Sequence, residues 1–323
     1  MVLRSDIVAI GRAYADFAKN EARERSPLYS EVCLEISDDA EILSRLATFS
    51  TDKRQPNLFL AAVKYLHGEA SGWRNFRELA LADWDRICAI VASRRTQTNE
   101  PARCATLLPL LAMLPQPLAL LEVGASASLC LLPDYYSYNY GGHLILASHQ
   151  SHGAPLFNCA ANEATPLPKR NIDVVWRAGL DLNPLDPSNE QDTRWLKALV
   201  WPGEGERERL LDQALSVART VKPPVVHGDL RTDLATLASQ APKNATLVVF
   251  HTAVLAYVPD PADRVAFGQN VASVGAHWIS NESAALFSWK ASLPAVWGSF
   301  LLAMNGKPIA FTDAHGTRLD WIA

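Results

Sequence analysis

Residues 118–129 read LALLEVGASASL, and this stretch decides the fold. An apolar run of strand length ends at Glu122, the chain turns at Gly124, and Ser126 and Ser128 follow. A continuous apolar run of this length, followed by a glycine turn, is typical of a strand that is buried on both faces of a parallel sheet. The stretch therefore predicts the first strand of such a sheet, with a ligand crevice at its carboxyl end and the two serines at the start of the next helix.

Apolar runs of the same kind recur along the second half of the chain and are separated by amphipathic helical segments. They lie at 172–180, 224–228, 245–251 and 276–282. This alternation predicts an α/β fold, Rossmann-like, with a mainly parallel sheet. The dipeptides Asn305-Gly306 and His315-Gly316 predict a C-terminal antiparallel hairpin and a second turn. A parallel sheet that ends in a hairpin favours the architecture of S-adenosylmethionine-dependent methyltransferases over the dinucleotide-binding one, by fold-level analogy.

The first third of the chain shows only the apolar spacing of helices. The pair Ser26-Pro27 is a helix start signal, and Gly68 follows the last turn of another helical segment. We therefore expect an all-α N-terminal domain over residues 1–115 and a methyltransferase-like Rossmann domain over 116–323. Within the second domain, residues 133–170 form an insertion that is expected to be a lid or an extra hairpin.

Composition excludes several classes of protein. The chain has 323 residues, 49% of them hydrophobic, and a formal net charge of −4, so it has the core of a globular protein and no general attraction to nucleic acid. No apolar run is long enough to span a membrane, and the N-terminus lacks the layout of a signal peptide, so a cytoplasmic location is expected. The five cysteines contain no CxxC pair, and the grouping of His149, His152 and Cys159 is interpreted as a polar surface loop rather than a metal site.

Three acids follow three predicted strands, where ligands bind in open α/β sheets. Glu122 ends the first strand, Asp181 follows the second and is placed to accept both ribose hydroxyls, and Asp229 follows the third and is expected to face the adenine amino group. Together with Gly124 and Ser126, these acids predict a pocket for S-adenosylmethionine.

The same turn argues against a dinucleotide. The dinucleotide fingerprint has glycine at three positions, and Ser126 and Leu129 occupy the second and third of them. A pyrophosphate must press against bare backbone there, whereas the smaller methionine end of S-adenosylmethionine tolerates a serine.

Two candidate catalytic residues lie at the end of the fourth predicted strand. His251 is placed to act as a general base, with Tyr257 and Glu282 near it at neighbouring strand ends. The alternative is a hydrogen-bonded structural histidine. The predicted enzyme is a methyltransferase acting on a small or medium-sized acceptor.

Two further classes stay open. The sequence around Ser126 also matches most of the nucleophile elbow G-x-S-x-G, and Asp181 or Asp229 with His251 or His315 would complete a serine hydrolase triad. Against this, the upstream chain is helical and offers no strand for the oxyanion hole. The third class is a protein that binds a nucleoside or S-adenosylmethionine without turnover.

Several segments together resemble an uncharacterised, mostly bacterial family known as a domain of unknown function. They are LLEVGASASLCLLPDYYSY, WRAGLDLNPLD, RWLKALVWP, GDL, VVFHTAVLAY, WISNE and GKPIAFTDAHG. The resemblance spans nearly the whole chain and implies a helical N-terminal region joined to a methyltransferase-like Rossmann domain, without implying an activity. The family turn typically reads Gly-Ala-Ser-Ala-Gly and then Leu-Asn-Leu, whereas this chain has Ser128 in place of the last glycine and Cys130 in place of the asparagine.

Overall fold

The computed structural model describes residues 4–97, 99–147, 153–286 and 299–323. The helices in these residues are α1 (Arg4–Phe17), α2 (Pro27–Asp38), α3 (Ala40–Leu46), α4 (Pro56–His67), α5 (Trp73–Ala82), α6 (Trp84–Ser93), α7 (Arg103–Met113), α8 (Glu190–Ala198), α9 (Gly205–Val221), α10 (Leu234–Ala238) and α11 (Pro261–Ser273). The strands are β1 (Leu118–Val123), β2 (Ser137–Tyr140), β3 (His143–Ile145), β4 (Leu156–Asn158), β5 (Ala160–Ala161), β6 (Val174–Asp181), β7 (Val225–His227), β8 (Thr246–Thr252), β9 (His277–Ser283), β10 (Ser299–Met304), β11 (Lys307–Asp313) and β12 (Arg318–Trp321).

The first compact unit is helical and consists of Met1–Thr98 together with Glu190–Arg209. Its helices begin and end where their residues favour it. The Ser26 hydroxyl accepts a hydrogen bond from the Tyr29 backbone N–H at the start of α2, and Gly68 takes a left-handed φ of 79° directly after α4. The predicted helical N-terminal region is confirmed.

The second unit consists of Asn99–Asn189 and Leu210–Ala323 and contains the sheet. Within the described residues, the sheet has nine strands in the order β5-β12-β11-β10-β9-β8-β1-β6-β7. The strands β7, β6, β1, β8 and β9 pair in parallel, while β9 to β12 pair in antiparallel fashion. The predicted mainly parallel sheet and its C-terminal hairpin are therefore confirmed.

Helix α7 falls within the predicted helical domain 1–115, but its contacts make it part of the sheet unit. The Arg103 side chain donates to the carbonyl of Ala314, and the Tyr140 hydroxyl donates to the carbonyl of Ala105 at 2.6 Å. Conversely, residues 190–209 belong to the helical unit although they follow β6 in the chain. Amphipathic spacing reveals a helix but not the unit on which it packs.

The expectation that a helix starts at Ser126 and Ser128 is wrong. Both serines have left-handed φ angles, 45° and 63°, which an α-helix of L-residues cannot continue, and the next element is a single 3₁₀ turn at Leu129–Leu131. The crossover from β1 to β6 is instead built from the insertion 133–170.

Part of this insertion forms a small sheet with strand order β3-β2-β4, so the predicted extra hairpin is present as β2 and β3. One ion pair ties the insertion to the main sheet. Arg177 of β6 donates to both carboxylate oxygens of the buried Asp134, at 2.7 and 2.8 Å. A bidentate pair of this kind holds its two segments in one register.

Candidate functional site

The parallel part of the sheet changes direction between β1 and β8. From β1 the chain proceeds outward to β6 and β7, and from β8 it proceeds outward on the other side to β9. In open α/β sheets, ligands bind beyond the carboxyl ends of the strands at such a switch point. The candidate site is therefore the crevice beyond the ends of β1, β6 and β8, which we call the switch-point crevice.

Gly124 begins the turn after β1, and a close neighbour accounts for the glycine. Its φ is 73°, and a Cβ atom at this position would lie 2.3 Å from Cγ2 of Val254. Any larger residue would therefore push Val254 away. The Val254 side chain therefore lies in the space beside Gly124 where the sequence predicts that a ligand approaches the backbone.

Asp181 at the end of β6 holds the turn after β1. Its Oδ2 accepts from the Ser126 backbone N–H at 2.8 Å, and its Oδ1 accepts from the Asn183 backbone N–H at 2.7 Å. The structure thus brings Asp181 and Ser126 together, as the sequence predicts, but through the serine backbone. Because a carboxylate has about four acceptor positions, each oxygen keeps room for a ligand hydroxyl.

The Ser126 hydroxyl is bound by a residue that the sequence does not single out. The Asn99 side chain donates to Ser126 Oγ at 2.6 Å, and its carbonyl oxygen accepts from the Ala127 N–H at 3.0 Å. Among the described residues, no histidine lies within hydrogen-bond distance of this hydroxyl. An isolated asparagine 27 positions upstream carries no local signal for this contact.

We expect Ser126 to be unreactive toward a fluorophosphonate probe, because no base among the described residues is placed to remove its proton. The measurement is labelling of the wild-type protein and of Ser126→Ala, followed by gel fluorescence. A known serine hydrolase labelled in the same tube is the positive control. Labelling of the wild type that disappears in Ser126→Ala would establish the hydrolase alternative instead.

Glu122 is almost completely buried, with 4% of its surface exposed, yet its buried Oε2 atom has no hydrogen-bond partner among the described residues. Burial raises the pKa of the Glu122 carboxyl well above its usual value, and the nearby Cys130 and Asp181 raise it further, whereas Arg103 opposes the shift. A buried carboxyl without a partner costs stability, and such groups often mark a binding site.

Arg103, at the start of α7, is a buried charged residue near the ends of β1 and β8 and is only 3% exposed. Its Nε donates to the carbonyl of Ala314 at 2.8 Å, and its Nη1 lies 3.3 Å from both the carbonyl and the hydroxyl oxygen of Thr252. No residue in the described part of the chain forms a hydrogen bond with Nη2. Sequence reasoning missed Arg103 because it precedes the first strand of the sheet.

His251 is fully buried within a hydrogen-bonded group of side chains. The Trp278 indole N–H donates to His251 Nε2 at 3.0 Å, so that nitrogen must accept, and Nδ1 donates to Glu282 Oε1 at 2.6 Å. Glu282 Oε1 also accepts from the backbone N–H groups of Val254 and Leu255. With both ring nitrogens occupied, this geometry is that of the structural histidine rather than that of a free base.

Tyr257 is 63% exposed and lies near the charges of the crevice. Its hydroxyl is within electrostatic range of Arg103 and Glu282. The catalytic role of Tyr257 stays a prediction, and its side chain is accessible from solvent.

Asp229 lies after β7 and is engaged with its own loop. Arg231 binds both oxygens of the Asp229 carboxylate, and these bonds lower the pKa of Asp229. Arg231 also donates to the Asp263 carboxylate. Because both carboxylate oxygens already accept from a guanidinium, Asp229 is less free to accept from an adenine amino group than the sequence predicts.

A separate groove of about 980 Å³ runs beside α11 and β9. Arg264, Trp278 and Asn305 are among its lining residues, and Arg264 Nε is already bound to the carbonyl of Val258. The groove contains none of the predicted site residues, so volume alone does not identify the site here.

None of the helices in the described part of the chain combines the length and the hydrophobicity that a bilayer crossing requires. The described residues also contain no group of His, Cys, Asp and Glu suited to a metal ion. Cys159 is a buried free thiol, and His149 and His152, the other members of the weak metal pattern, lie outside the described residues.

The fold and the crevice define a mixed α/β protein with a helical region ahead of a mostly parallel sheet, and with a buried carboxyl and a buried arginine at the switch point of that sheet. The model of a bacterial family described as "Uncharacterized protein conserved in bacteria (DUF2332)" matches residues 11–321, and the chain belongs to this family. No curated protein and no solved structure matches the chain.

Proposed function

We propose that the protein binds S-adenosylmethionine in the switch-point crevice and transfers its methyl group to a small or medium-sized acceptor. The observation that carries this proposal is Glu122 at the end of β1, whose buried Oε2 atom has no hydrogen-bond partner among the described residues. The parallel strand order β7-β6-β1-β8-β9 supports it, because this order creates a ligand crevice at that point.

The residues present fit such a cofactor at several points. Asp181 is placed to accept the ribose hydroxyls while it holds the turn after β1, and Glu122 offers an acceptor within the enclosed part of the crevice. The charged sulfonium of the cofactor supplies the driving force for methyl transfer. The chain itself has to bind, align the acceptor and exclude water, with Tyr257 available to orient an acceptor at the exposed side.

The main test is calorimetry with S-adenosylmethionine and S-adenosylhomocysteine. We expect the wild type to bind both ligands. Asp181→Asn is expected to bind them at least about tenfold more weakly, because the two ribose hydroxyls would no longer donate to a charged carboxylate. Asp320→Asn changes the Arg318–Asp320 ion pair on β12 and is the matched control, with unchanged affinity expected. No wild-type binding at concentrations that saturate a known methyltransferase would disprove the cofactor proposal.

A specific observation favours a second candidate, a protein that binds the cofactor without turnover. Both nitrogens of His251, the predicted base, are occupied by Trp278 and Glu282. Incubation with S-adenosylmethionine and a mixed small-molecule fraction separates the two candidates. Formation of S-adenosylhomocysteine favours the enzyme, and tight binding without it favours the sensor.

A further inference from the structure

A carboxyl and a guanidinium are buried near the neighbouring ends of β1 and β8, with Glu122 on β1 and Arg103 bound to Thr252 of β8. Glu122 and Arg103 are 4% and 3% exposed, and each is within electrostatic range of the other. Among the described residues, no ion pair joins them, and the buried Oε2 atom of Glu122 has no hydrogen-bond partner. Burial favours the neutral form of Glu122 and raises its pKa, so a buried Oε2 atom without a partner is unfavourable in the protein alone.

The Arg103 guanidinium is held by hydrogen bonds and by the Phe300 ring, whose centre lies 5.5 Å from the guanidinium carbon. Ala314 and Thr252 occupy Nε and Nη1, which fixes the plane of the group, and no described residue forms a hydrogen bond with Nη2. A guanidinium with one free N–H-bearing nitrogen is a donor for a carboxylate. Because its orientation is set by the carbonyls around it, little entropy is lost when such a ligand binds.

The carboxyl of Glu122 needs the opposite chemistry. It accepts hydrogen bonds when ionised and is complementary to an ammonium group. An inorganic anion would satisfy Arg103 and leave Glu122 without a partner, and a metal cation or an amine would do the reverse. A ligand that carries an ammonium and a carboxylate on one carbon satisfies both residues at once.

We infer that Arg103 and Glu122 form a subsite for the zwitterionic head of an α-amino acid, with the carboxylate on Arg103 and the ammonium on Glu122. The inference rests on the proposed function, because S-adenosylmethionine carries such a head. It adds that the amino-acid end, rather than the adenine end, supplies most of the recognition. This agrees with Asp229, whose carboxylate is bound by Arg231.

The test is a calorimetric comparison of S-adenosylhomocysteine with 5′-methylthioadenosine, a related thioether nucleoside without the amino-acid head. On the wild type, we expect S-adenosylhomocysteine to bind at least about tenfold more tightly, since one charge-assisted hydrogen bond contributes about that factor. Equal affinities would overturn the subsite and leave the cofactor proposal intact. Binding of neither ligand would overturn both.

Variants assign the effect to the two residues. Glu122→Gln keeps the shape of the side chain and removes its charge, and Arg103→Lys keeps the charge and loses the planar group. Each is expected to weaken S-adenosylhomocysteine at least about fivefold and to leave 5′-methylthioadenosine within about twofold. A parallel loss for both ligands would contradict the inference. If either variant fails to fold, as judged by circular dichroism, the wild-type comparison alone decides.

Discussion

Glu282→Ala is expected to lower the free energy of unfolding by about 3–4 kcal/mol, because removal of the carboxylate leaves buried donors without an acceptor, each at a cost of about 1–3 kcal/mol. Glu282 Oε1 accepts from His251 Nδ1 at 2.6 Å and from the backbone N–H groups of Val254 and Leu255 at 2.7 and 3.1 Å. All three bonds are lost together. The measurement is urea unfolding of the wild type and the variant.

Glu282→Gln is the informative companion. Its amide oxygen still accepts hydrogen bonds, so we expect a loss of about half that of the alanine variant. Asp320→Asn, in an ion pair that is partly exposed, is the control and should change the free energy by less than about 0.5 kcal/mol. If Glu282→Ala unfolds at the same urea concentration as the wild type, the buried network does not stabilise the end of β8.

Gly316→Ala is expected to destabilise the protein by about 3 kcal/mol, the sum of left-handed backbone strain and steric overlap. Gly316 has a φ of 79° in the turn between β11 and β12, and a Cβ atom there would lie 2.2 Å from the Ala102 carbonyl oxygen and 2.6 Å from the Arg103 nitrogen. These are backbone atoms, so no side-chain rotation relieves the overlap. The expected result is displacement of this turn from the start of α7.

Gly306→Ala provides a matched control in the neighbouring hairpin. Gly306 has a similar φ of 76°, but a Cβ atom there meets nothing within 4 Å. We expect it to cost only about 1 kcal/mol from backbone strain. Thermal unfolding of the two variants side by side isolates the steric overlap. Equal losses would show that Gly316 does not pack against α7 as described.

Gly316→Ala is also expected to affect the orientation of Arg103 in the switch-point crevice. The carbonyl of Ala314, two residues before Gly316, accepts from Arg103 Nε at 2.8 Å. Displacement of this turn therefore removes the support that orients the guanidinium. We expect Gly316→Ala to weaken binding of S-adenosylhomocysteine, whereas Gly306→Ala leaves it unchanged.

Much of the fold is predictable because its signals are local. The run that ends at Glu122 is β1, the run at 245–251 is β8 with a shift of one residue, and Asn305-Gly306 is a hairpin turn. Each of these depends on apolar spacing or on the backbone freedom of a few residues. The prediction of a helix after Ser126 is wrong because the left-handed φ angles of Ser126 and Ser128 end the regular backbone there.

The site is predictable only in part. The end of each strand can be found from the sequence, and Asp181 and Ser126 do meet. The residues that complete the crevice, Asn99 and Arg103, come from a segment that precedes the sheet in the chain. No periodicity or motif connects them to it.

The sequence by itself determined a helical region, a parallel sheet and a crevice at the glycine turn of LALLEVGASASL, because strand and helix periods are properties of neighbouring residues. Only the tertiary structure decided that His251 is bound by Glu282 and Trp278, and that Arg103 and Glu122 are both buried with no ion pair between them in the described residues. Those contacts join residues that are distant in the chain. They depend on how the β8 and β9 ends and α7 pack, and this packing is set by the whole core rather than by any local pattern.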